Sequence, residues 1–117
     1  MTKYKKLHSR AMDFYENYLL EKSPKNDRSS YKSYFLNLAF EFEKRAVCAA
    51  FAENASVLDL SVLHRSAATI GFHAGFFSAA LELAENGMAL NPPAEILAEL
   101  KEVRENILKA QNTTEND

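Results

Sequence analysis

The amino-acid sequence predicts a single all-α domain built from helical hairpins. Apolar residues recur at intervals of three and four in every long segment, which is the period of a helix with one buried face. Only three glycines and three prolines occur among the 117 residues, and the plentiful Lys, Glu, Ala and Leu favour helix over strand. The chain is long enough for one core. Five helices are predicted in a domain of residues 1–110, at about 3–20, 29–52, 60–73, 77–89 and 94–110.

The first two predicted helices differ in the number of their apolar faces. Helix one has a single apolar stripe, formed by Tyr4, Leu7, Ala11, Tyr15 and Tyr18. The segment EKSPKNDRSS that follows is rich in turn and capping residues, so the chain is expected to turn there. Helix two has two apolar stripes and is therefore expected to be the central helix. Cys48 within it is expected to be a small buried hydrophobe rather than a nucleophile.

Local capping and helix-breaking residues set the boundaries of the last three helices. Asp59 or Ser61 is predicted to cap the start of helix three. Gly75 is predicted to end that helix in the left-handed conformation, so that helices three and four form a tight hairpin. Pro93 suits the first turn of helix five, which has one apolar stripe and an acidic outer face. The polar tail, residues 111–117, is predicted to be disordered.

Charge is distributed unevenly along the chain. The net charge is −2, but residues 1–32 carry eight Lys or Arg against four Asp or Glu, and the remainder carries six against twelve. A basic first helix can attract phosphate, yet such charges are more often a solvated helix face, so nucleic acid is disfavoured as a partner. The longest uncharged stretch, residues 66–81, is shorter than the roughly 20 apolar residues of a membrane span. With a single cysteine and no apolar segment after the basic start, a cytoplasmic location is expected.

Residues 62–92 resemble one tetratricopeptide repeat, a helical hairpin of about 34 residues that stacks into solenoids. Seven positions match the family's pattern of small residues, turn glycine, aromatic, apolar residue and final proline: Ala68, Gly75, Phe77, Ala80, Gly87, Leu90 and Pro92. Four positions depart from it: His64, Ala67, Gly71 and Ala84. The segment is also similar to short bacterial proteins with such a hairpin. The resemblance implies stacked hairpins, a C-terminal capping helix and a protein or peptide partner.

Two glycines indicate close helix packing independently of this resemblance. Gly71 and Gly87 are predicted to lie inside helices, where glycine costs about 1 kcal/mol relative to alanine. That cost is unexplained unless another helix approaches the backbone closely at these positions. An ordinary helical bundle with a tight hairpin would use the same residues, so the sequence leaves both architectures open.

No catalytic or metal-binding motif is found in the sequence. His8, His64 and His73 lack the spacing of a helical metal pair, and there is no phosphate-binding glycine-rich loop or nucleophile motif. Glu41 and Glu43 are two residues apart on helix two, so they are expected to face apart as solvated charges. We therefore expect no enzyme activity, no metal and no cofactor.

The predicted function is a non-catalytic protein-interaction module, such as an adaptor or a small assembly factor. In tetratricopeptide-like hairpins the first helix of each repeat lines the binding surface. The resemblance places Arg65, Thr69, Phe72 and His73 on that surface, together with Val62. The alternative is that Phe72 belongs to the core, that Arg65 is solvated, and that His73 only complements the partial negative charge of the helix C-terminus.

The sequence also leaves two other functions open and predicts a homodimer. A small nucleic-acid-associated regulatory protein would use the basic first helix, and its binding would depend on salt. Arg65 and His73 also resemble the Arg and His of the helical RNases called HEPN, although more residues separate them than is usual in that family. A homodimer is expected because repeat hairpins bury their faces on neighbours, and about three repeats are normally needed.

Overall fold

The structure, a computed structural model, describes residues 2–21 and 31–115, with side chains as far as Thr113. Within these ranges the chain forms five α-helices and no strand: α1 (Lys3–Leu20), α2 (Tyr31–Ala52), α3 (Val57–Ala74), α4 (Phe77–Met88) and α5 (Ala94–Glu115). The predicted all-α fold is therefore confirmed. No helix in the described ranges has both the length and the apolar character needed to cross a bilayer.

Each helix packs against the next one along the chain, and α5 also returns to contact α3. α3 thus packs against α2, α4 and α5, whereas α2 packs mainly against α1 and α3. Helix two was expected to be central, and α2 does lie between α1 and α3, although it shares that position with α3 and its Phe51 is 50% exposed. The antiparallel pairing of α1 and α2 brings Phe14 onto Phe42, with ring centroids 5.6 Å apart.

The apolar core lies where α2 and α3 meet, with α1 covering it on one side. One cluster joins residues of α1, α2 and α3: Tyr4, Ala46, Val47, Ala50, Leu60, Leu63 and Ala67. A second cluster joins α2 and α3 through Leu36, Ala39, Phe40 and Ile70. The buried residues of α4 are all small, namely Ala80, Ala84 and Gly87, so its backbone can approach its neighbours closely.

Gly71 marks such a close approach between helices. A Cβ atom added to Gly71 would lie 2.8 Å from the Phe40 ring and 3.2 Å from the Cβ of Ala80. The predicted explanation for a glycine inside helix three is therefore confirmed. The absence of a side chain at this position lets α4 and the ring from α2 pack directly against the α3 backbone.

Gly75 ends α3 as predicted. It adopts the left-handed conformation with φ of 85°. Its N–H donates to the carbonyl of Phe72 at 3.1 Å, and the N–H of Phe76 donates to the carbonyl of Gly71 at 2.9 Å. This pair of hydrogen bonds is a Schellman motif, which satisfies carbonyls that the helix end would otherwise leave unpaired. The helix therefore stops there, and α4 begins two residues later as the second arm of the hairpin.

The predicted start of helix three differs from the structure, and that of helix two is not tested. α3 begins at Val57, and its cap is Ser56, whose Oγ accepts a hydrogen bond from the N–H of Asp59 at 3.1 Å. Neither Asp59 nor Ser61 is the cap, because Ser56 satisfies the free N–H one turn earlier. α2 is described from Tyr31 onward, so the predicted start at residue 29 lies outside the described residues.

α5 continues to Glu115, five residues beyond the predicted end at residue 110. The expectation that the tail is disordered from residue 111 is therefore wrong as far as Glu115, and residues 116–117 lie outside the described part of the chain. No Gly or Pro follows Pro93, so nothing forces the helix to stop. Thr113 Oγ1 donates to the carbonyl of Lys109 at 3.0 Å, which satisfies its hydroxyl within the helix.

Candidate functional site

The four predicted binding residues line one groove between α3 and α5, which we call the α3–α5 groove. It has a volume of about 300 Å³. α3 contributes Arg65, Thr69, Phe72 and His73. α5 contributes Glu99, Glu102, Val103 and Asn106. The structure thus brings together the predicted residues of one helix with a set from another helix that the sequence did not identify.

Helix geometry explains why each set shares one face. Residues 65, 69, 72 and 73 are separated by steps that return to the same side of an α-helix, and so are residues 99, 102, 103 and 106. The α5 residues were missed because the sequence places Glu99 and Glu102 on the outer face of the helix and Val103 in its apolar stripe. The position of α5 beside α3 cannot be read from periodicity. Val62, expected in the same row, instead lines a separate recess beside Tyr4 and His8.

Arg65 is held by a carboxylate across the groove. Its Nη1 lies 2.9 Å from Oε2 of Glu99. The charge of Arg65 is therefore paired, while 29% of its side chain remains exposed. The pair links α3 to α5 across the groove. Glu102 is exposed and has no ion pair with any described residue, so the groove carries an excess of negative charge.

The remaining groove residues offer apolar contact and hydrogen bonds. The Phe72 ring is half-buried and lies against His73, with ring centroids 5.4 Å apart, and against Phe77 at 6.0 Å. Thr69 donates its hydroxyl hydrogen to the carbonyl of Arg65 at 2.8 Å, so its oxygen can still accept a hydrogen bond. An aromatic surface bordered by polar groups suits recognition of a peptide or a protein segment.

A buried ion pair joins α1 to α2 outside this groove. Glu43 is 0% exposed, and His8 Nδ1 donates to both of its carboxylate oxygens, at 2.8 and 2.9 Å. The expectation that Glu43 is a solvated charge is wrong, because α1 covers that side of α2. A local signal existed in the sequence: Glu43 lies between Phe40 and Val47 in one buried stripe of α2.

The start of α1 is anchored at two further points. The Tyr4 hydroxyl donates to Oδ2 of Asp59 on α3 at 2.7 Å. The backbone N–H of Tyr4 donates to Oε1 of Glu53 at 3.0 Å, which satisfies one of the free amides at the helix start. The hydrogen bond with Asp59 raises the pKa of the Tyr4 hydroxyl. α1 is thus held to both α2 and α3 by polar contacts as well as by packing.

Two histidines have pKa values shifted in opposite directions. The hydrogen bond with Glu43 raises the pKa of His8, although burial opposes this shift. Burial lowers the pKa of His64, although the bond that its Nδ1 donates to the Leu60 carbonyl at 2.7 Å opposes the shift. Protonation therefore favours the folded state at His8 and disfavours it at His64.

We expect the free energy of unfolding to be greatest near pH 6.5, roughly the pKa of an unfolded histidine. Above that pH the folded state holds more protons at His8 than the unfolded state, so stability falls as pH rises through the raised pKa of His8. Below it the unfolded state holds more protons at His64, so stability falls as pH decreases. Urea unfolding between about pH 5 and 8.5 measures this profile.

The variant His8→Gln separates the two contributions. Its amide can still donate to Glu43 but does not titrate, so the decline above pH 6.5 should disappear while the decline below it remains. A variant profile with the same slope above pH 6.5 as the wild type would show that His8 is not its source.

Neither metal-binding groups among the described residues nor similarity to known proteins assigns a function. Among the residues that the structure describes, no group of three or more His, Cys, Asp or Glu side chains could hold a metal ion. Comparisons with protein-family models, curated proteins and solved structures find no match. A functional proposal therefore rests on the geometry of the α3–α5 groove.

Proposed function

We propose that this protein is a non-catalytic interaction module that binds a protein or peptide segment in the α3–α5 groove. The observation that carries the proposal is the convergence of Arg65, Thr69, Phe72 and His73 with one face of α5 in a single groove. Each residue can recognise a partner through apolar contact, hydrogen bonding or charge without undergoing a reaction. An adaptor or a small assembly factor needs no more than this.

The packing of the last three helices supports the proposal, because a tetratricopeptide-like array would need the same contacts. α3 and α4 form a hairpin, and α5 packs against both of them, as the first helix of a following repeat would. The small residues Ala80, Ala84 and Gly87 are buried where α4 meets its neighbours. In such arrays the first helices line the concave surface that binds partners, and here α3 and α5 would occupy those positions. The expected homodimer stays a prediction, which light scattering can check.

The proposal is tested on a partner recovered by affinity capture from the native host and then prepared in pure form. We expect Arg65→Ala and Phe72→Ala each to weaken binding of the purified partner by about 1–3 kcal/mol. Removing Arg65 also releases Glu99 and so disturbs the groove wall. Binding is measured by isothermal titration, and thermal unfolding of each variant shows whether the fold is retained.

Arg104→Ala is the matched control for Arg65→Ala. Arg104 Nε lies 3.5 Å from Oε2 of Glu85, so this surface ion pair also joins α5 to another helix, but on the α4 side. Both substitutions remove one arginine and one exposed ion pair, which contributes little to stability. Equal binding by the Arg65, Phe72 and Arg104 variants would contradict the proposal. RNA cleavage that His73→Ala abolishes would replace it with an enzyme activity.

A further inference from the structure

A second groove, between α1 and α2, has the opposite charge. This α1–α2 groove has a volume of about 640 Å³. Its apolar part is formed by Leu7, Ala49 and Ala52, next to the thiol of Cys48. Among the residues that the structure describes, its charged residues are Lys3, Lys44, Arg45 and one acid, Glu41. The expectation that Cys48 is buried is wrong: it is exposed, because its side of α2 faces this groove and not the core.

The cations of the α1–α2 groove are mostly unpaired. Lys44 Nζ lies 3.2 Å from Oε2 of Glu41, which neutralises one cation. No carboxylate of the described residues lies within ion-pair distance of Lys3 or Arg45. Arg10 extends the positive surface along α1, since the guanidinium groups of Arg10 and Arg45 lie 5.8 and 5.5 Å from the centroid of the same Phe42 ring. The groove therefore combines an apolar floor with net positive charge.

We propose that the α1–α2 groove is a second binding site, which takes an acidic amphipathic helix from a partner protein. The apolar stripe of such a helix would cover Leu7, Ala49 and Ala52, and its carboxylates would pair with Lys3 and Arg45. This arrangement uses both properties of the groove, whereas a phosphate backbone would use only the charge.

The overall charge of the chain also favours an acidic peptide over nucleic acid. The net charge is −2, and the part of the chain beyond residue 32 carries twelve acidic residues. A long polyanion that reached the groove would also meet this negative field, whereas a short helix bound in the groove would face three cations and one acid. With an acidic α3–α5 groove and a basic α1–α2 groove, the protein could hold two partners of different chemistry.

The test uses a synthetic helix as the probe. The peptide has about 18 residues, which span about 27 Å as a helix, with leucines along one face and glutamates elsewhere. We expect saturable binding by fluorescence anisotropy, weakened at high salt because the contacts are partly ionic. A peptide of the same composition without an apolar face should bind at least several-fold more weakly.

Charge reversal tests the location of the site. The double variant Lys3→Glu/Arg45→Glu should weaken binding of the probe about tenfold, because two attractive contacts become repulsive. Lys101→Glu/Lys109→Glu is the matched control: it makes the same change in net charge at two exposed positions of α5 and should bind the probe like the wild type. Circular dichroism confirms that both variants fold.

Cys48 supplies a readout that needs no substitution. It is the single cysteine of the chain and lines the groove, so the saturating probe should slow its alkylation by N-ethylmaleimide several-fold. Unchanged alkylation with the probe bound would overturn the proposal, as would equal binding by the two double variants. Tighter binding of an oligothymidylate would assign the groove to nucleic acid. Self-association abolished by Lys3→Glu/Arg45→Glu would assign it to a second copy of the chain.

Discussion

His8→Ala is expected to lower the free energy of unfolding by about 2–3 kcal/mol. The substitution removes the side chain that donates to both carboxylate oxygens of Glu43, which is 0% exposed. A buried carboxylate without its partner is strongly destabilising, because the lost contacts are replaced only in part. The side chain of His8 is itself 35% exposed, so its removal admits some water, and we expect a cost below the roughly 3–5 kcal/mol of a fully buried pair that loses one partner.

Two further variants distinguish loss of the pair from loss of packing. Ser9→Ala is the matched control, since Ser9 is the next residue of α1 and is exposed; its effect should stay within about 0.5 kcal/mol. The double variant His8→Leu/Glu43→Leu replaces both partners with apolar groups, a change that is often nearly neutral for a buried pair. Its cost should therefore be much smaller than the summed costs of the two single leucine variants.

Urea unfolding followed by circular dichroism measures all of these variants on one scale. A double variant whose cost equals the sum of the single costs would show that the two residues do not interact. A His8→Ala protein as stable as Ser9→Ala would show that Glu43 does not depend on His8. Either result would remove the buried pair as an anchor of α1.

The helices could be predicted from the sequence because their signals are local. Each helix has an apolar stripe within its own residues. Gly75 marks the end of α3 because glycine readily adopts the left-handed conformation, and Pro93 marks the start of α5 because proline has a fixed φ and no backbone N–H. The end of α5 was predicted too early because polar composition alone does not stop a helix that lacks a breaking residue. The start of α3 was predicted too late because Ser56, Asp59 and Ser61 are all able to cap, and periodicity does not choose between them.

The polar pairs could not be predicted because they depend on which helices meet. His8 and Glu43 lie 35 residues apart, and Arg65 and Glu99 lie 34 apart. The residue pattern of one helix does not show which residue of the other helix it will contact. The α3 half of the α3–α5 groove was predicted because it lies on one helix, whereas the α5 half required the packing of a second helix. Site residues on one helix can thus be predicted from its own residue pattern, whereas site residues that come together from separate helices cannot.

At Gly87 the backbone of α4 lies close to both α3 and α5. A Cβ atom added there would lie 2.8 Å from the Cβ of His64 and 3.1 Å from Cδ2 of Leu100. The leucine carbon is the end of a flexible side chain and can move away. The His64 Cβ is bonded directly to the α3 backbone, and the His64 ring is held by its hydrogen bond to the Leu60 carbonyl. The helices themselves would therefore have to separate.

Gly87→Val is accordingly expected to lower the free energy of unfolding by about 2–3 kcal/mol through overpacking. The prediction opposes the local preference of the helix, since glycine has a lower helix propensity than valine. Asn86→Val is the matched control: it introduces the same side chain at the exposed neighbouring position, where its effect should stay within about 0.5 kcal/mol. Both are measured by urea unfolding. A Gly87→Val protein as stable as Asn86→Val would mean that α4 does not pack this closely against α3. Close packing would then not explain why a glycine is present at position 87.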